Sequence, residues 1–174
     1  MTDLARRVYE TAHLTGEFTL RSGQVSNEYF DKYLFEGEPV LLRDIAEAMA
    51  PLVPAGTEAL AGLELGGIPI VTMLSQVTGL PAVFVRKEAK DYGTCRLAEG
   101  GEIDGRRLTV VEDVVTTGGQ VLLSCADLRA RGAVVDTVLC VIDREAGGPE
   151  AFAAEGLALR SLFTMSQLKA AAGA

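Results

Sequence analysis

The sequence is poor in the residues that build metal, disulfide and nucleic-acid sites. It has one histidine and three widely spaced cysteines without a CxxC pair, Cys95, Cys125 and Cys140. This composition leaves a zinc site without ligands and argues against a disulfide framework. Acidic residues outnumber basic ones by 24 to 16, so the net charge is −8. A polyanion-binding surface needs the opposite balance, and a nucleic-acid-binding protein is therefore disfavoured.

Long apolar runs are also missing. No stretch reaches the roughly 18 apolar residues that a membrane span requires. Residues Met1 to Arg7 lack the apolar segment of a signal peptide. We therefore expect a cytoplasmic protein that has no membrane partner. With 174 residues, 48% of them hydrophobic and 23% charged, the chain is long enough for one globular domain and too short for two ordinary ones.

Predicted helices and strands alternate along most of the chain. The first fifteen residues have helical spacing, and residues 17–20 and 28–33 alternate as short strands do. Pro39 opens an amphipathic helix. Further strands are predicted at 59–63, 81–86, 108–111, 134–142 and 157–163, with helices after Gly67 and up to about Arg131. The stretch from Ser161 to Ala174 predicts a closing strand and helix without a site residue.

Near-continuous apolar strands between helices indicate an α/β fold with a mostly parallel central sheet flanked by helices. Ligands of such sheets bind beyond the carboxyl ends of the strands. Functional residues are therefore expected directly after Leu63, Val85, Val111 and Ile142.

The segment that ends the strand at Val111 carries the clearest functional pattern. It consists of Glu112, Asp113, Val114, Val115, Thr116, Thr117, Gly118 and Gly119. Backbone N–H groups at a helix N-terminus attract phosphate, and glycines let the ligand approach closely. Because the two acids would repel phosphate, sugar hydroxyls suit them better. The pattern predicts a ribose on Glu112 and Asp113 and its 5-phosphate on Thr116 to Gly119; an acidic strand end before a generic helix cap is the alternative.

This segment closely resembles the phosphoribosyl-diphosphate signature of the type I phosphoribosyltransferases. The sequence has neither a GxxxxGK[ST] Walker loop nor a GxGxxG dinucleotide fingerprint. The resemblance implies one domain over residues 1–174, with a core of about 39–145 and a small N-terminal hood of about 1–36 joined by C-terminal elements. It also implies Mg²⁺, which prefers substrate oxygens and retained waters to a dedicated protein cage.

A second pattern places positive charge at the end of the strand that precedes Arg86. Arg86, Lys87 and Lys90 fall within five residues, which suits a diphosphate leaving group; a solvated charged loop is the alternative. The run RKEAKxxG is similar to the mobile catalytic loop of orotate phosphoribosyltransferases, here about 87–105. The resemblance implies that these cations engage the diphosphate, and that the loop is shared across a homodimer. Tyr92 stands where many relatives have histidine, so a histidine-like pH response of the loop is not expected.

A third pattern is the strand-to-helix turn that contains Gly66 and Gly67. Glycines at such a turn expose backbone amides, although a simple turn that opens a helix is the alternative. The resemblance implies a short diphosphate-binding loop here. Some relatives place lysine at the position of Gly66, and main-chain groups are expected to replace that lysine in this chain.

The acceptor site is predicted in the hood and after the strand that ends at Ile142. The stretch from Phe18 to Asp31 resembles the hood of orotate phosphoribosyltransferases, with Arg21 in its turn. Tyr29 and Phe30 offer a stacking surface for a flat pyrimidine, with core packing as the alternative. Arg144 stands where that family binds the carboxylate of orotate; an ion pair with a neighbouring acid is the alternative.

Together these patterns predict transfer of a phosphoribosyl group from 5-phosphoribosyl 1-diphosphate to orotate, which gives orotidine 5′-monophosphate and diphosphate. No covalent nucleophile is needed, and catalysis comes from positioning and leaving-group stabilisation. Lys90, Arg86 and Asp113 are the candidate catalytic residues. A purine phosphoribosyltransferase is the first alternative, although it should lack the RKEAK loop and this hood. The second is a non-catalytic regulator that senses the donor, which would usually add a basic surface.

Overall fold

The protein alternates helices and strands over most of its length. The computed structural model describes residues 1–19, 23–88 and 96–174. Its helices are α1 (Thr2–Ala12), α2 (Lys32–Glu36), α3 (Pro39–Met49), α4 (Gly67–Thr78), α5 (Gly119–Ala130), α6 (Gly148–Ala154) and α7 (Met165–Ala172). Its strands are β1 (His13–Thr19), β2 (Val25–Phe30), β3 (Ala59–Leu63), β4 (Ala82–Val85), β5 (Ala98–Glu99), β6 (Arg107–Val115), β7 (Val134–Asp143) and β8 (Ala158–Thr164).

Within the described residues, six strands form one sheet in the order β5–β4–β3–β6–β7–β8. All neighbours run parallel except β4 and β5. The predicted α/β class with a mostly parallel sheet is therefore confirmed. β6 pairs with β3 as far as Val111 and with β7 as far as Val115, so its carboxyl end extends beyond the part that pairs with β3.

Helices cover both faces of this sheet, and the strand residues alternate between the two cores. One core joins α1, α3, α4 and α7 to sheet residues such as Leu60, Val111 and Leu139. The other joins α5 and α6 to the alternate residues, such as Ala61 and Val110. Burial on both faces explains why the strands are near-continuous apolar runs. Every helix in the described part of the chain is too short or too polar to span a bilayer.

The N-terminal segment differs from its prediction at two points. The helix predicted over the first fifteen residues ends at Ala12, because His13, Leu14 and Thr15 pair with β2 as part of an antiparallel two-stranded sheet. The strand predicted over residues 28–33 ends at Phe30, since the carboxylate of Asp31 accepts the N–H of Tyr33 at 3.1 Å and caps α2. The division into hood, core and loop stays a prediction.

Strand β6 is longer than predicted. It was expected to end at Val111, but it continues to Val115, where Val114 and Val115 pair with Ile142 and Asp143 of β7. Glu112 and Asp113 therefore lie within the strand, where Asp113 is fully buried and Glu112 is partly exposed.

Gly62 allows the close contact between β3 and α4. A Cβ atom built at this residue would lie 2.3 Å from Cγ1 of Val71 and 2.7 Å from the carbonyl oxygen of Gly67. Replacing Gly62 by alanine should therefore destabilise the protein by about 1–3 kcal/mol, the usual cost of overpacking. Urea unfolding measures this change. Gly119→Ala is the control, because its added Cβ meets no atom within 4 Å, and equal stabilities of the two variants would contradict the prediction.

Candidate functional site

The carboxyl ends of β3, β4 and β6 border a cavity of about 410 Å³, called the strand-end cleft. Its wall consists of Lys32, Tyr33, Glu64, Leu65, Gly66, Lys87, Glu112 and Val114 to Val121. The cavity lies where the sequence predicted functional residues, directly after Leu63, Val85 and Val111. Of the two predicted acids, Glu112 contributes to this wall, whereas the side chain of Asp113 is fully buried.

The loop that enters α5 is shaped by one glycine. Gly118 has a φ of 80°, and a Cβ atom there would lie 2.3 Å from the ring of Phe152 on α6. Any side chain would therefore displace the loop. Thr116 and Thr117 are exposed beside it, and the first N–H groups of a helix have no partner within that helix. The loop therefore presents hydroxyl and amide donors, and their use for a phosphate stays a prediction.

The turn between β3 and α4 is packed against the end of β6. A Cβ atom on Gly66 would lie 1.5 Å from Oδ2 of Asp113, and one on Gly67 would lie 2.4 Å from the carbonyl oxygen of Val111. Neither position can therefore hold a side chain in this arrangement. Oε1 of Glu64 accepts the N–H of Lys87 at 2.5 Å, which ties this turn to the residue that follows β4 by two positions.

Asp113 is held in an ion pair between α2 and the sheet. Nζ of Lys32 lies 2.5 Å from Oδ2 of Asp113, and Oδ1 accepts the N–H of Val114 at 2.5 Å. Burial alone would raise the pKa of Asp113, but hydrogen bonds from Glu112 and Lys32 hold it below its ordinary value. Burial tends to lower the pKa of Lys32, but the hydrogen bond and the charge of Asp113 outweigh this effect. The pKa of Lys32 is therefore above its ordinary value. The pair therefore stays ionised at neutral pH.

Two further acids beside this pair hold protons instead. Burial, and then the nearby charge of Asp113, raises the pKa of Glu36 to about 9. Burial, followed by its hydrogen bond to Asp113, also raises the pKa of Glu112 to about 9. At neutral pH Glu112 is therefore protonated, and its carboxyl group both donates and accepts hydrogen bonds, as a sugar hydroxyl requires.

The predicted cations fall in three places. Lys87 lines the strand-end cleft, whereas Arg86 follows β4 and its N–H donates to the carbonyl oxygen of Leu97 at 2.9 Å. Lys90 and Tyr92 lie outside the described residues, as does Arg21 in the hood.

A second cavity, of about 450 Å³, adjoins the first and is called the hood cleft. Its wall is formed by Tyr29, Phe30, Asp31, Lys32, Tyr33, Val114, Thr116 and Arg144. The predicted acceptor residues Tyr29, Phe30 and Arg144 are thus brought together. Tyr29 is 43% exposed, so it is not a core residue, while Phe30 is partly buried and packs on the core.

The main chain of Arg144 is fixed by a backbone hydrogen bond, and its guanidinium makes no described ion pair with Asp143 or Glu145. Its N–H donates to the carbonyl oxygen of Val115 at 2.8 Å. Asp143 accepts the N–H of Glu145, and Glu145 accepts the N–H of Ser166, each at 2.8 Å. In the described part of the chain neither acid pairs with the guanidinium. Arg144 also lines a third cavity with Met165 and Lys169, in a stretch for which the sequence predicted no site residue.

Sequence reasoning missed three residues of this site. Glu64 directly follows Leu63, one of the strand ends at which ligands of parallel sheets are expected. Its acidic side chain at that place could have predicted its position in the site. Lys32 follows the predicted aromatic pair and Asp31, but the alternating pattern assigned it to a strand. Glu36 gave no signal, because its burial depends on the position of α2 against the sheet.

The parallel sheet, the acid pair of β6 and the threonine–glycine loop that enters α5 define a type I phosphoribosyltransferase. No protein-family model matches the sequence. The chain is 55% identical over 168 residues to the orotate phosphoribosyltransferase of Nocardioides sp., which covers 97% of this chain and 94% of that protein. The chain belongs to the orotate phosphoribosyltransferase family.

Solved structures agree with this assignment. Mycobacterium tuberculosis orotate phosphoribosyltransferase in complex with Fe(III) dicitrate has a TM-score of 0.88 and 34% identity, covering 96% of this chain and 97% of that one. The same enzyme in complex with 5-phospho-α-D-ribosyl 1-diphosphate has a TM-score of 0.82 and 31% identity, with the same coverage of both chains.

The raised pKa of Glu36 predicts a pH-dependent stability. Its carboxyl group binds a proton in the folded protein up to about pH 9, whereas its ordinary value is 4.5. Its contribution to stability is therefore complete below pH 4.5 and is lost as the pH rises towards 9. The side chain of Glu36→Gln cannot ionise, so the melting temperature of this variant relative to the wild type should increase as the pH rises. A stability difference of about 1 kcal/mol corresponds to a Tm difference of about 2–4 °C.

Melting curves between pH 5 and pH 9 measure this gain. Glu47→Gln, on the exposed face of α3, is the matched control and should show a constant difference from the wild type. A Glu36→Gln difference that stays flat over the same range would show that the buried carboxyl is not protonated in the folded state.

Proposed function

We propose that the chain carries out the reaction of its family in the two adjoining clefts. Orotate phosphoribosyltransferase activity joins the 5-phosphoribosyl group of 5-phosphoribosyl 1-diphosphate to orotate, giving orotidine 5′-monophosphate and diphosphate on the route to UMP. One observation carries the proposal: the strand-end cleft and the hood cleft share Lys32, Tyr33, Val114 and Thr116 as a common wall. A donor and an acceptor bound in them meet without crossing solvent.

The donor binds along the strand-end cleft. The loop from Thr116 to Gly119 takes the 5-phosphate with its hydroxyls and amides. Glu112 faces the cleft and hydrogen-bonds the ribose hydroxyls in its protonated form. The turn that contains Gly66 offers its backbone to the diphosphate, which agrees with the expectation that main-chain groups act there.

The leaving diphosphate is stabilised by the cations that follow β4. Lys87 lies on the cleft wall, and Arg86 and Lys90 belong to the same run. Positive charge placed where negative charge develops lowers the barrier for departure. These residues act by charge and position, so a covalent intermediate with the protein is not required.

Mg²⁺ fits this cleft as an ion carried by the substrate. Among the described residues no group of three or more histidine, cysteine, aspartate or glutamate side chains could hold a metal. The acids on the cleft wall are Glu64, which accepts the N–H of Lys87, and Glu112. When bound through diphosphate and ribose oxygens, the ion would neutralise phosphate charge.

Orotate occupies the hood cleft. Arg144 presents a guanidinium to the carboxylate, for which a planar fork is the natural partner. Tyr29 and Phe30 flank the flat ring, and Phe18 lies 5.5 Å from Tyr29 between ring centroids. Arg21, outside the described residues, is proposed to complete this end of the site.

We further propose a cytoplasmic homodimer in which the part of the loop of about 87–105 that precedes β5 reaches the partner's site. The described cysteines, Cys125 and Cys140, are buried free thiols, which suits a reducing compartment. Sedimentation at assay concentration tests the dimer, and the mass of a single chain would reject it.

Substrate specificity tests the reaction itself. Purified protein with 5-phosphoribosyl 1-diphosphate and Mg²⁺ should consume orotate and leave uracil, adenine and hypoxanthine unchanged, because only orotate carries the carboxylate that Arg144 binds. Product formation is followed by chromatography. Consumption of a purine in place of orotate would assign the purine alternative, and donor binding without transfer to any base would assign the regulator.

Replacing Arg144 by alanine should reduce kcat/KM for orotate by about 10- to 100-fold, the range for removing a hydrogen bond to a charged group. Arg144→Lys should recover part of this loss, since it keeps the charge but not the fork. Arg43→Ala, on an exposed site of α3, is the control. Unchanged orotate kinetics in Arg144→Ala would remove the guanidinium from the acceptor site.

A further inference from the structure

Lys32 lies where the hood meets the sheet. It is the first residue of α2, directly after the β2 residues and Asp31 that line the hood cleft. Its amine crosses to β6, where Nζ lies 2.5 Å from Oδ2 of Asp113. The side chain remains 33% exposed, whereas that of Asp113 is fully buried. The lysine is thus fixed at its tip and still accessible to a ligand.

Among the described residues, Lys32 is the cation that lines both clefts. The strand-end cleft also has Lys87 on its wall, and the hood cleft also has Arg144, but neither of these residues lines both. An ammonium group has three N–H donors, and one contact with Asp113 leaves donors for a ligand in the cleft. Nζ also lies over the ring of Tyr33, 5.3 Å from its centroid, and this cation–π contact stabilises the charge.

The surroundings of Asp113 explain how its carboxylate holds the lysine. Oδ2 occupies the space that a side chain on Gly66 would need, since a Cβ there would approach to 1.5 Å. Oδ1 accepts the N–H of Val114. Both oxygens are therefore used inside the protein, and Asp113 is absent from the described wall of either cleft.

We propose that Lys32 binds the diphosphate of the donor at the junction of the two clefts, and that Asp113 is the positioning residue that holds it there. This inference rests on the proposed function, and it adds a positioning role to the ribose contact predicted for Asp113. Lys32 lines the cleft together with Gly66 of the turn and Lys87, the residues assigned to the diphosphate. A cation fixed at this point needs little reorganisation as the leaving group gains charge.

The experiment measures binding of two fragments of the donor in the presence of Mg²⁺. Inorganic diphosphate and ribose 5-phosphate are titrated separately into the full chain by calorimetry. Lys32→Met should weaken diphosphate binding by about ten-fold or more, while ribose 5-phosphate, held by the loop from Thr116 to Gly119, should keep its affinity within about two-fold. Lys32→Arg should restore part of the diphosphate affinity.

A double variant separates binding from folding. Lys32→Met alone leaves the buried charge of Asp113 without its partner, which is strongly destabilising. Lys32→Met combined with Asp113→Asn removes both charges and should recover stability without recovering diphosphate affinity. Wild-type diphosphate affinity in this double variant would overturn the proposal, since it would show that the lysine only neutralises Asp113.

Chemical modification of the wild-type protein gives a measurement that needs no variant. Inorganic diphosphate should protect Lys32 from acetylation and leave the exposed Lys169 reactive. Equal reactivity of Lys32 with and without diphosphate would count against the contact. If the wild type binds neither fragment, the proposed function fails; if it binds both and Lys32→Met is unaffected, only the present inference fails.

Discussion

The ion pair between Lys32 and Asp113 is the contact on which the arrangement of the site depends. It joins the segment that follows the two-stranded sheet to the central strand of the larger sheet, and it is buried on the aspartate side. A buried pair contributes little net stability, because desolvation offsets much of the attraction. Its value is geometric, since a charge that is costly to leave unpaired fixes α2 at one position against β6. The common wall of the two clefts follows from that position.

The same ion pair determines which of the neighbouring carboxyl groups are protonated. Three acids and one amine are crowded together, and only one carboxylate can be ionised beside the lysine without repulsion. Asp113 takes that role, while Glu36 and Glu112 keep their protons. The cluster is therefore close to neutral before a highly charged donor arrives. A neutral, protonated Glu112 can approach a sugar phosphate without the repulsion that a carboxylate would impose.

Much of the fold could be predicted because its signal is local. Strands such as β7 are continuous apolar runs, and the glycines and threonines after β6 mark the start of α5 by themselves. Helix α1 was predicted too long and β6 too short, since both ends are decided by pairing with strands distant in sequence. His13 leaves the helix because it pairs with Phe30, and Val115 stays in the strand because it pairs with Asp143.

The site was predicted less completely than the fold. Residues at strand ends, such as Glu112 and Arg144, could be found from position alone. The difference in burial between Glu112 and Asp113 could not be predicted, because it depends on the position of α2 against β6, and the extent of β6 was unknown. Lys32 and Glu36 were missed because a cap on Asp31 turns the chain into α2 and carries both residues to the sheet.

The contact between Gly118 and Phe152 limits which substitutions this enzyme can accept during evolution. The phosphate loop rests on an aromatic ring from α6, and α6 begins four residues after Arg144. The proposed sites of the sugar phosphate and of the base are thus both close to α6. A side chain at position 118 would be strained at its φ of 80° even beside a smaller residue at 152, so position 118 should stay glycine while Phe152 continues to support the loop.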